Sequence, residues 1–282
     1  MTARDRPVAF VTGASRGIGR CAAIALARAG CDVVISARTV HEGEGRAETA
    51  TGSVVLPGSL DTTATEISAT GARAHAVAMD LLDRASVEAA AVAAIGIWGR
   101  LDVLVNNAIY QGQGPMQRLG ELSIDDAATT ITADYLHQLL LIQRVLPVML
   151  GRGGGSVVTM SSGTAYLDPP GPTGQGGWGV AYAAAKAAVT RIVPILHVEH
   201  GGDGIRAFNV DPGFVVNERM RATTGAGQFT DAGFRGVPPE VPGAVVAWLA
   251  TDPAADRYAG TVVQAQKVCR DLGLVPGWPA AG

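Results

Sequence analysis

The sequence predicts an α/β fold in which helices cover both faces of a doubly wound parallel sheet of about seven strands. Short apolar runs typical of buried strands alternate with helical patterns along the chain, as in a parallel sheet covered on both sides. Of the 282 residues, 48% are hydrophobic, only 5% are aromatic and 37 are glycine, which suits small-residue helices packed closely on a sheet. No internal repeat or linker is evident, so residues 1–282 are expected to form a single domain.

The predicted strands and helices follow each other regularly. Strands are predicted at residues 8–11, 32–36, 73–79, 101–105, 156–160, 205–210 and 259–263. Helices are predicted from Ile18 onward, at 61–70, at 83–95, at about 123–150, around Tyr182 and Lys186, and at 239–250. Asp61 is expected to cap the second of these, and Pro194 is expected to interrupt the helix of Tyr182 and Lys186 near its end. Long loops are predicted at 39–60, at 163–179 and at 214–239, which is a candidate lid.

Charge and composition exclude several classes of function. The net charge is −3, so no basic face for nucleic acid is expected. Three cysteines and five histidines lack metal-ligand or disulfide spacing, which predicts no metal site and fits a reducing cytosol. The polar stretch 1–6 leads straight into a strand, and no apolar run approaches about 18 residues, so neither a signal peptide nor a membrane span is expected. These features predict a cytoplasmic protein.

A glycine-rich turn lies directly between the first strand and the first helix. Its glycines are Gly13, Gly17 and Gly19, in the sequence Thr-Gly-Ala-Ser-Arg-Gly-Ile-Gly. Glycines allow a tight turn and close backbone approach, and the helix N-terminus offers free N–H groups and a partial positive charge to a pyrophosphate. A glycine-rich turn alone is weak evidence, but this position strongly predicts a dinucleotide site.

The second strand indicates which dinucleotide is bound. Sites for NAD use an acidic residue after this strand to hold the ribose 2′-hydroxyl. Here the strand ends in Ser36-Ala37-Arg38, without a carboxylate. Arg38, together with Arg16 in the glycine turn, is suited to a 2′-phosphate, although either arginine may serve only as a solvated surface charge. The pattern predicts a preference for NADP(H), with NAD(H) as the alternative.

Tyr182 and Lys186 form a candidate proton-transfer pair. They lie four positions apart with only alanines between them, so on a helix both project from the same open face. A nearby lysine ammonium is expected to lower the pKa of a tyrosine from its ordinary value near 10. The same four-residue spacing also occurs by chance on many surface helices, so the pair alone is only a hypothesis.

Taken together in their order along the chain, these motifs resemble the short-chain dehydrogenase/reductases from residue 7 to residue 263. The matching residues are Thr12-Gly13-x-x-x-Gly17-x-Gly19, Asn106-Asn107-Ala108, Ser162, Tyr182-x-x-x-Lys186 and Pro212-Gly213. The resemblance implies a three-layer Rossmann fold, with residues 163–179 and 214–239 as substrate loops.

The resemblance also implies roles for individual residues. Tyr182 would be the acid or base, Lys186 would lower its pKa, and Ser162 would hold the substrate oxygen, with Ser161 as the alternative serine. The resemblance and the arginine argument together give this predicted cofactor-binding set: Gly13, Ser15, Arg16, Gly17, Ile18, Gly19, Arg38, Asp80, Leu81, Asn106, Ala108, Tyr182, Lys186, Pro212, Gly213 and Val215.

Several positions depart from the family pattern. Asp134 stands where the family has an asparagine, whose main chain holds a water that links the lysine to solvent. Asp134 is therefore a predicted catalytic residue. Its carboxylate could also alter the pairing of Lys186. Ile109 replaces a glycine and is expected to push a side chain toward the cleft. The loop between Ser162 and Tyr182 is longer than usual, and Ala265 opens a sequence that replaces the usual Asp-Gly-Gly ending.

Two functions remain open at this point. The first is an NADP(H)-dependent oxidoreductase that interconverts a ketone or aldehyde and an alcohol. The second is an NADPH-binding sensor or scaffold with little catalytic activity, which Asp134 and Ile109 favour. The family commonly assembles through the helices at 123–150 and 180–200, so a homodimer or homotetramer is expected. The sequence carries no signature for the substrate.

Overall fold

A computed structural model of the protein describes residues 6–49, 52–224 and 236–279. Its central sheet has seven parallel strands in the order β5-β2-β1-β6-β7-β8-β9, and a separate two-stranded antiparallel sheet pairs β3 with β4. The strands are β1 (Val8–Thr12), β2 (Asp32–Ala37), β3 (Arg46–Thr49), β4 (Gly52–Val55), β5 (Ala74–Ala78), β6 (Val103–Asn106), β7 (Gly155–Met160), β8 (Ile205–Asp211) and β9 (Val262–Gln264).

Helices cover both faces of the sheet, which confirms the predicted fold class. The α-helices of the described residues are α1 (Gly17–Arg28), α2 (Leu60–Ser68), α3 (Arg84–Gly96), α4 (Ile124–Ile131), α5 (His137–Leu150), α6 (Val180–His200), α7 (Glu218–Thr224), α8 (Glu240–Thr251) and α9 (Ala265–Leu272). Side chains of β1 alternate between the two cores: Ala9 and Val11 face α1 and α8, whereas Val8 and Phe10 face α3 and α5. No helix in the described ranges combines the length and hydropathy needed to cross a membrane.

The strand order creates a crevice at the carboxyl ends of β1 and β6. The chain runs from β1 outward through β2 to β5 and then returns to β6 on the other side of β1. The connections therefore diverge at this edge, which is where open parallel sheets bind ligands. The glycine turn follows β1, and Asn106-Asn107-Ala108 follows the next strand inward, so both predicted motifs lie at this crevice.

The predicted loop at 39–60 contains the β3/β4 hairpin, so the expectation of an unstructured loop was wrong. Its strands have only four residues each and a mostly polar composition, which hides them from a hydrophobic pattern. Ala47 and Leu56 are buried and anchor the hairpin. The cap of α2 is Ser59 rather than the expected Asp61, because the Ser59 hydroxyl accepts a hydrogen bond from the Thr62 N–H at 3.0 Å.

The helices differ from the prediction in three places. The predicted helix 123–150 contains five residues of π-helix, Thr132–Leu136, between α4 and α5. Pro194 does not interrupt α6. Proline has no N–H to donate to the Thr190 carbonyl, and this carbonyl accepts from Asn209 Nδ2 at 2.8 Å instead. The chain forms α9 directly after β9, where no helix was predicted.

The candidate lid at 214–239 is described only in part. Helix α7 occupies the first part of the lid, and residues 225–235 lie outside the described residues.

Candidate active site

A cavity of about 450 Å3 opens at the carboxyl ends of the central strands. It brings together most of the predicted cofactor residues: Gly13, Ser15, Arg16, Gly17, Ile18, Arg38, Asp80, Leu81, Ala108, Tyr182, Lys186 and Pro212. Four others do not line it, namely Gly19, Asn106, Gly213 and Val215. Among these, Gly213 lies against Gln266, and Val215 is buried in a bridge with Val237.

The glycine turn has a geometry that only glycine permits at two of its positions. Gly13 and Gly17 have φ values of +67° and +57°, in the left-handed region. A Cβ built on Gly19 would lie 2.3 Å from the carbonyl oxygen of Gly13, so the start of α1 presses directly on the end of β1. Arg16, the N-cap residue, makes no side-chain capping bond, and the first turn of α1 contains no acidic residue. These features suit the N-terminus of α1 to an anion such as a pyrophosphate.

Asn107 and Thr12 hold the glycine turn against β6. Asn107 Nδ2 donates to the Thr12 carbonyl at 2.8 Å, and the Thr12 hydroxyl accepts from the N–H groups of Asn107 and Ala108, each at 3.0 Å. Asn106 is fully buried instead, and its Nδ2 donates to the Gln138 carbonyl at 3.3 Å. The cleft position expected for Asn106 is therefore occupied by its neighbour Asn107.

Replacing Gly19 with alanine is expected to disrupt this turn. Gly19→Ala would force two backbone segments apart, so we expect the free energy of unfolding to fall by roughly 1–3 kcal/mol and NADPH binding to weaken at least about tenfold. Urea denaturation and fluorescence titration with NADPH measure the two effects. Gly96→Ala is the matched control, since nothing lies within 4 Å of a Cβ built at this helical position. Equal behaviour of the two variants would show that the turn tolerates a side chain.

Arginines surround the end of the cavity next to β2. Arg38 is exposed and lines this end. Arg16 lines it too, but its guanidinium donates to the carbonyls of Pro57 at 2.9 Å and Gly58 at 2.8 Å, which ties the glycine turn to the chain after the hairpin. Arg46 and Arg219 line the cavity as well. The sequence analysis missed Arg219, which comes from α7, because the predicted lid gave no sign of which residues face inward.

Tyr182 and Lys186 lie at the opposite end of the same cavity. Lys186 Nζ donates to the Met160 carbonyl at 2.7 Å and lies 6.0 Å from the centre of the Tyr182 ring. Burial lowers the pKa of Lys186 to about 8. Burial raises the pKa of Tyr182, and a hydrogen bond with Ser162 lowers it only in part. The expectation that Lys186 lowers the pKa of Tyr182 below its ordinary value is therefore not met in this arrangement.

The two neighbouring serines point to different places. The Ser161 hydroxyl bonds the Thr190 hydroxyl at 2.6 Å and is almost fully buried under α6. The Ser162 hydroxyl accepts from the Thr164 N–H at 3.3 Å and lies close enough to Tyr182 to lower the pKa of its phenol. The Ser162 side chain is thus the one that accompanies the tyrosine.

Asp134 occupies the π-helical segment and is fully buried. Its Oδ1 accepts from the Tyr110 N–H at 2.6 Å, whereas its Oδ2 has no hydrogen-bond partner among the described residues. Burial raises the pKa of Asp134 to about 6, and the charge of Lys186 opposes this rise. Within the described part of the chain the two groups form no ion pair within 4 Å, so they interact at longer range. Segments of π-helix are frequent at functional sites.

Tyr166, in the loop 163–179, is a further polar residue near the site that sequence reasoning missed. Its hydroxyl donates to Asp211 Oδ2, while Asp211 Oδ1 accepts from the Gly213 N–H at 3.0 Å. The charge of Asp211 contributes to the raised pKa of Tyr182, so this pair lies within electrostatic range of the tyrosine. No local pattern in the sequence links Tyr166 to Asp211, 45 positions away.

Comparison with known proteins decides the family. Residues 7–228 match the sequence model of the short chain dehydrogenase family. The chain belongs to this family. Short-chain dehydrogenases are oxidoreductases that act on alcohols and ketones with NAD(P)(H).

Several relatives of this short-chain dehydrogenase are named for an activity. A 3-oxoacyl-[acyl-carrier-protein] reductase of Synechocystis is 30% identical over 92% of this chain and 95% of that protein. A D-threitol dehydrogenase of Mycolicibacterium smegmatis is 32% identical over 76% and 72% of the two chains. The crystal structure of an acetoin dehydrogenase from Enterobacter cloacae matches with a TM-score of 0.72 and 26% identity, over 92% of this chain and 95% of that one. These three names refer to a 3-oxoacyl-[acyl-carrier-protein], to D-threitol and to acetoin, so they do not define one substrate.

Proposed function

We propose that this short-chain dehydrogenase uses NADP(H) to interconvert a ketone or aldehyde and the corresponding alcohol, with Tyr182 as the acid or base. The pairing of Tyr182 with Lys186 in one cavity carries the proposal: the lysine ammonium lies 6.0 Å from the centre of the tyrosine ring, and Ser162 is close enough to lower the pKa of the phenol. In the direction of reduction, Tyr182 Oη would give its proton to the carbonyl oxygen. Ser162 Oγ would hold the same oxygen and stabilise its developing charge.

The residues of the cavity fit the dinucleotide. The glycine turn leaves the N-terminus of α1 available for the pyrophosphate, and a side chain at Gly19 would displace the turn, because it would clash with the Gly13 carbonyl oxygen. Asp80, Leu81 and Ala108 would line the path between the adenine and the nicotinamide. NADP(H), when bound, supplies or accepts the hydride. Because the pKa of Tyr182 is raised, its hydroxyl stays protonated at neutral pH and is ready to act as an acid.

Lys186 would orient the nicotinamide ribose and supply positive charge near the phenol. With a pKa of about 8, it is mostly protonated at pH 7. Asp134 would support this state, because its charge favours the protonated lysine. We therefore assign Asp134 a role in the electrostatics of proton transfer, replacing the neutral asparagine of the family pattern.

A binding protein with little catalytic activity is the second candidate. Ile109 lines the cavity, as expected of a side chain in place of glycine, and so occupies space near the reacting end. The distinguishing experiment is steady-state oxidation of NADPH, and separately of NADH, against ketones, aldehydes, quinones and steroids, with acetoin included. Turnover supports the enzyme; NADPH binding without turnover of any compound would favour the sensor.

The preference for NADP(H) depends on Arg38, whose exposed guanidinium would pair with the 2′-phosphate. We expect Arg38→Gln to lower kcat/KM for NADPH about 10–100-fold, as one charged hydrogen-bonding partner is lost, and to change kcat/KM for NADH less than about threefold. Steady-state kinetics with both nucleotides measures the ratio.

Arg46→Gln is the control for this substitution. Arg46 also lines the cavity, but its guanidinium donates to the carbonyls of Gly43 and Gly45 in its own hairpin, at 2.5 Å and 3.1 Å. We expect its NADPH-to-NADH ratio to equal that of the wild type. A wild type that uses both nucleotides equally would contradict the proposed preference.

The proposal extends to assembly and location. We propose that residues 1–282 form one NAD(P)-binding domain that assembles as a cytoplasmic homodimer or homotetramer. Exposed apolar side chains support a contact through the long helices: Ile124 on α4, and Ile195 and Val198 on α6.

A further inference from the structure

Helix α7 lies across the cofactor cavity and touches both of its sides. It packs against both strands of the β3/β4 hairpin. At its start, Asn217 Cβ and Glu218 Oε2 would lie 3.6 Å from a Cβ built on Gly17, so α7 begins directly over the glycine turn. The helix is therefore held over the N-terminus of α1, on the solvent side of the site that suits a pyrophosphate.

Arg219 extends from α7 to the opposite wall. Its guanidinium donates to the Gln111 carbonyl at 2.7 Å, beyond the end of β6. The side chain lines the same cavity as Gly17 and Arg38. A guanidinium has five N–H donors, so this bond leaves others free to meet a ligand in the cavity.

The electrostatic surroundings of Arg219 favour an anion. No carboxylate lies within 4 Å of its guanidinium in the described part of the chain. Burial lowers the pKa of Arg219, and the nearby charge of Arg38 lowers it further. Burial lowers the pKa of Arg16; the Glu218 and Glu42 carboxylates oppose this, and the charges of Arg219 and Arg38 lower it further. Arg16, Arg38 and Arg219 thus repel one another at the cavity, and an anion between them would relieve this repulsion.

The position over α1 decides which anion Arg219 meets. We propose that Arg219 binds the pyrophosphate of the dinucleotide from the lid side, facing the N-terminus of α1, while Arg38 alone serves the 2′-phosphate. This inference rests on the proposed use of NAD(P)(H). It assigns the two arginines to different phosphates, so that Arg219 contributes to affinity for both nucleotides and Arg38 to the choice between them.

Ligands that carry the two phosphates separately test this division. ADP has a pyrophosphate without a 2′-phosphate, and 2′-AMP has a 2′-phosphate without a pyrophosphate. We expect Arg219→Gln to raise the Kd for ADP, NAD+ and NADP+ by a similar factor of about 10–100, and to leave the Kd for 2′-AMP within about twofold. Arg38→Gln should do the reverse, weakening 2′-AMP and NADP+ only. Isothermal titration calorimetry on the purified full chain measures all four ligands.

Glutamine removes the charge and keeps a polar amide at about the position of the arginine Nε. Arg221→Gln, at an exposed position of the same helix, is the matched control and should change no Kd. Selective weakening of 2′-AMP and NADP+ by Arg219→Gln would move Arg219 to the 2′-phosphate and overturn the inference. Unchanged binding of all four ligands would also overturn the inference, and would mean that Arg219 only connects α7 to the Gln111 carbonyl.

Failure of this inference is separable from failure of the proposed function. A wild type that binds NAD+ and NADP+ equally contradicts the preference for NADP(H), yet leaves the comparison of ADP with 2′-AMP intact. Absence of turnover contradicts the enzyme, but the calorimetric comparison needs no turnover.

Discussion

Tyr182→Phe is expected to lower kcat for carbonyl reduction by about 10²–10⁴-fold, because the substitution removes only the hydroxyl that would protonate the substrate oxygen. The ring stays in place, so the Kd for NADPH should remain within about threefold of the wild type. Steady-state oxidation of NADPH and fluorescence titration measure the two quantities. A loss confined to kcat would identify an interaction that acts on the chemical step rather than on cofactor binding.

Tyr166→Phe provides the matched control for this result. Tyr166 also has a hydrogen-bonded hydroxyl near the site, but that hydroxyl donates to Asp211 and does not line the cavity. We expect its kcat to fall by less than about tenfold. If Tyr182→Phe kept full activity while Tyr166→Phe lost it, the proton donor would be Tyr166 and the proposed role of Tyr182 would be wrong.

The sequence was sufficient wherever a short stretch determines its own geometry. The positive φ values of Gly13 and Gly17 are ones that glycine readily adopts, and the shared helix face of Tyr182 and Lys186 follows from their spacing. Alternation of strands and helices was enough to predict the seven-stranded sheet. These properties depend on short stretches of the chain, so a single sequence is enough to predict them.

The sequence was insufficient where distant parts of the chain decide the outcome. Ser161 and Ser162 are equivalent locally, and it is Thr190, 29 positions away, that engages the hydroxyl of Ser161. Arg16 looked available for a phosphate, but the carbonyls of Pro57 and Gly58 engage its guanidinium. The pKa of Tyr182 was predicted from its neighbour, whereas burial from several elements controls it.

Lys186→Met is expected to abolish catalysis and yet to stabilise the protein. Lys186 is buried with the Met160 carbonyl as its hydrogen-bond partner, and burial lowers its pKa from an ordinary 10.5 to about 8. Each unit of pKa corresponds to about 1.4 kcal/mol, so charging this lysine costs the folded state on the order of 3 kcal/mol. Methionine fills similar space without a charge. After allowing for the Met160 carbonyl left without a donor, we expect a gain of about 1–2 kcal/mol in the free energy of unfolding at pH 7.

The pH dependence of this gain separates it from a general packing effect. Below pH 8 the lysine is protonated in both folded and unfolded chains, so its full cost is present. Between pH 8 and pH 10.5 the folded state releases the proton first, so the unfolded state binds more protons and the wild type gains stability as pH rises. The advantage of Lys186→Met should therefore shrink across this window. Urea denaturation at several pH values, with circular dichroism as the signal, measures it.

Lys267→Met is the control, because Lys267 is an exposed lysine paired with Asp271 one helical turn away. It should alter neither activity nor the pH profile of stability appreciably. A destabilised Lys186→Met at pH 7 would contradict the prediction, and would mean that the Met160 carbonyl and the charge of Asp134 more than offset the burial of the ammonium. A stabilised but inactive variant would instead mean that the fold tolerates an unfavourable buried charge because catalysis requires it, as stability is commonly sacrificed at active sites.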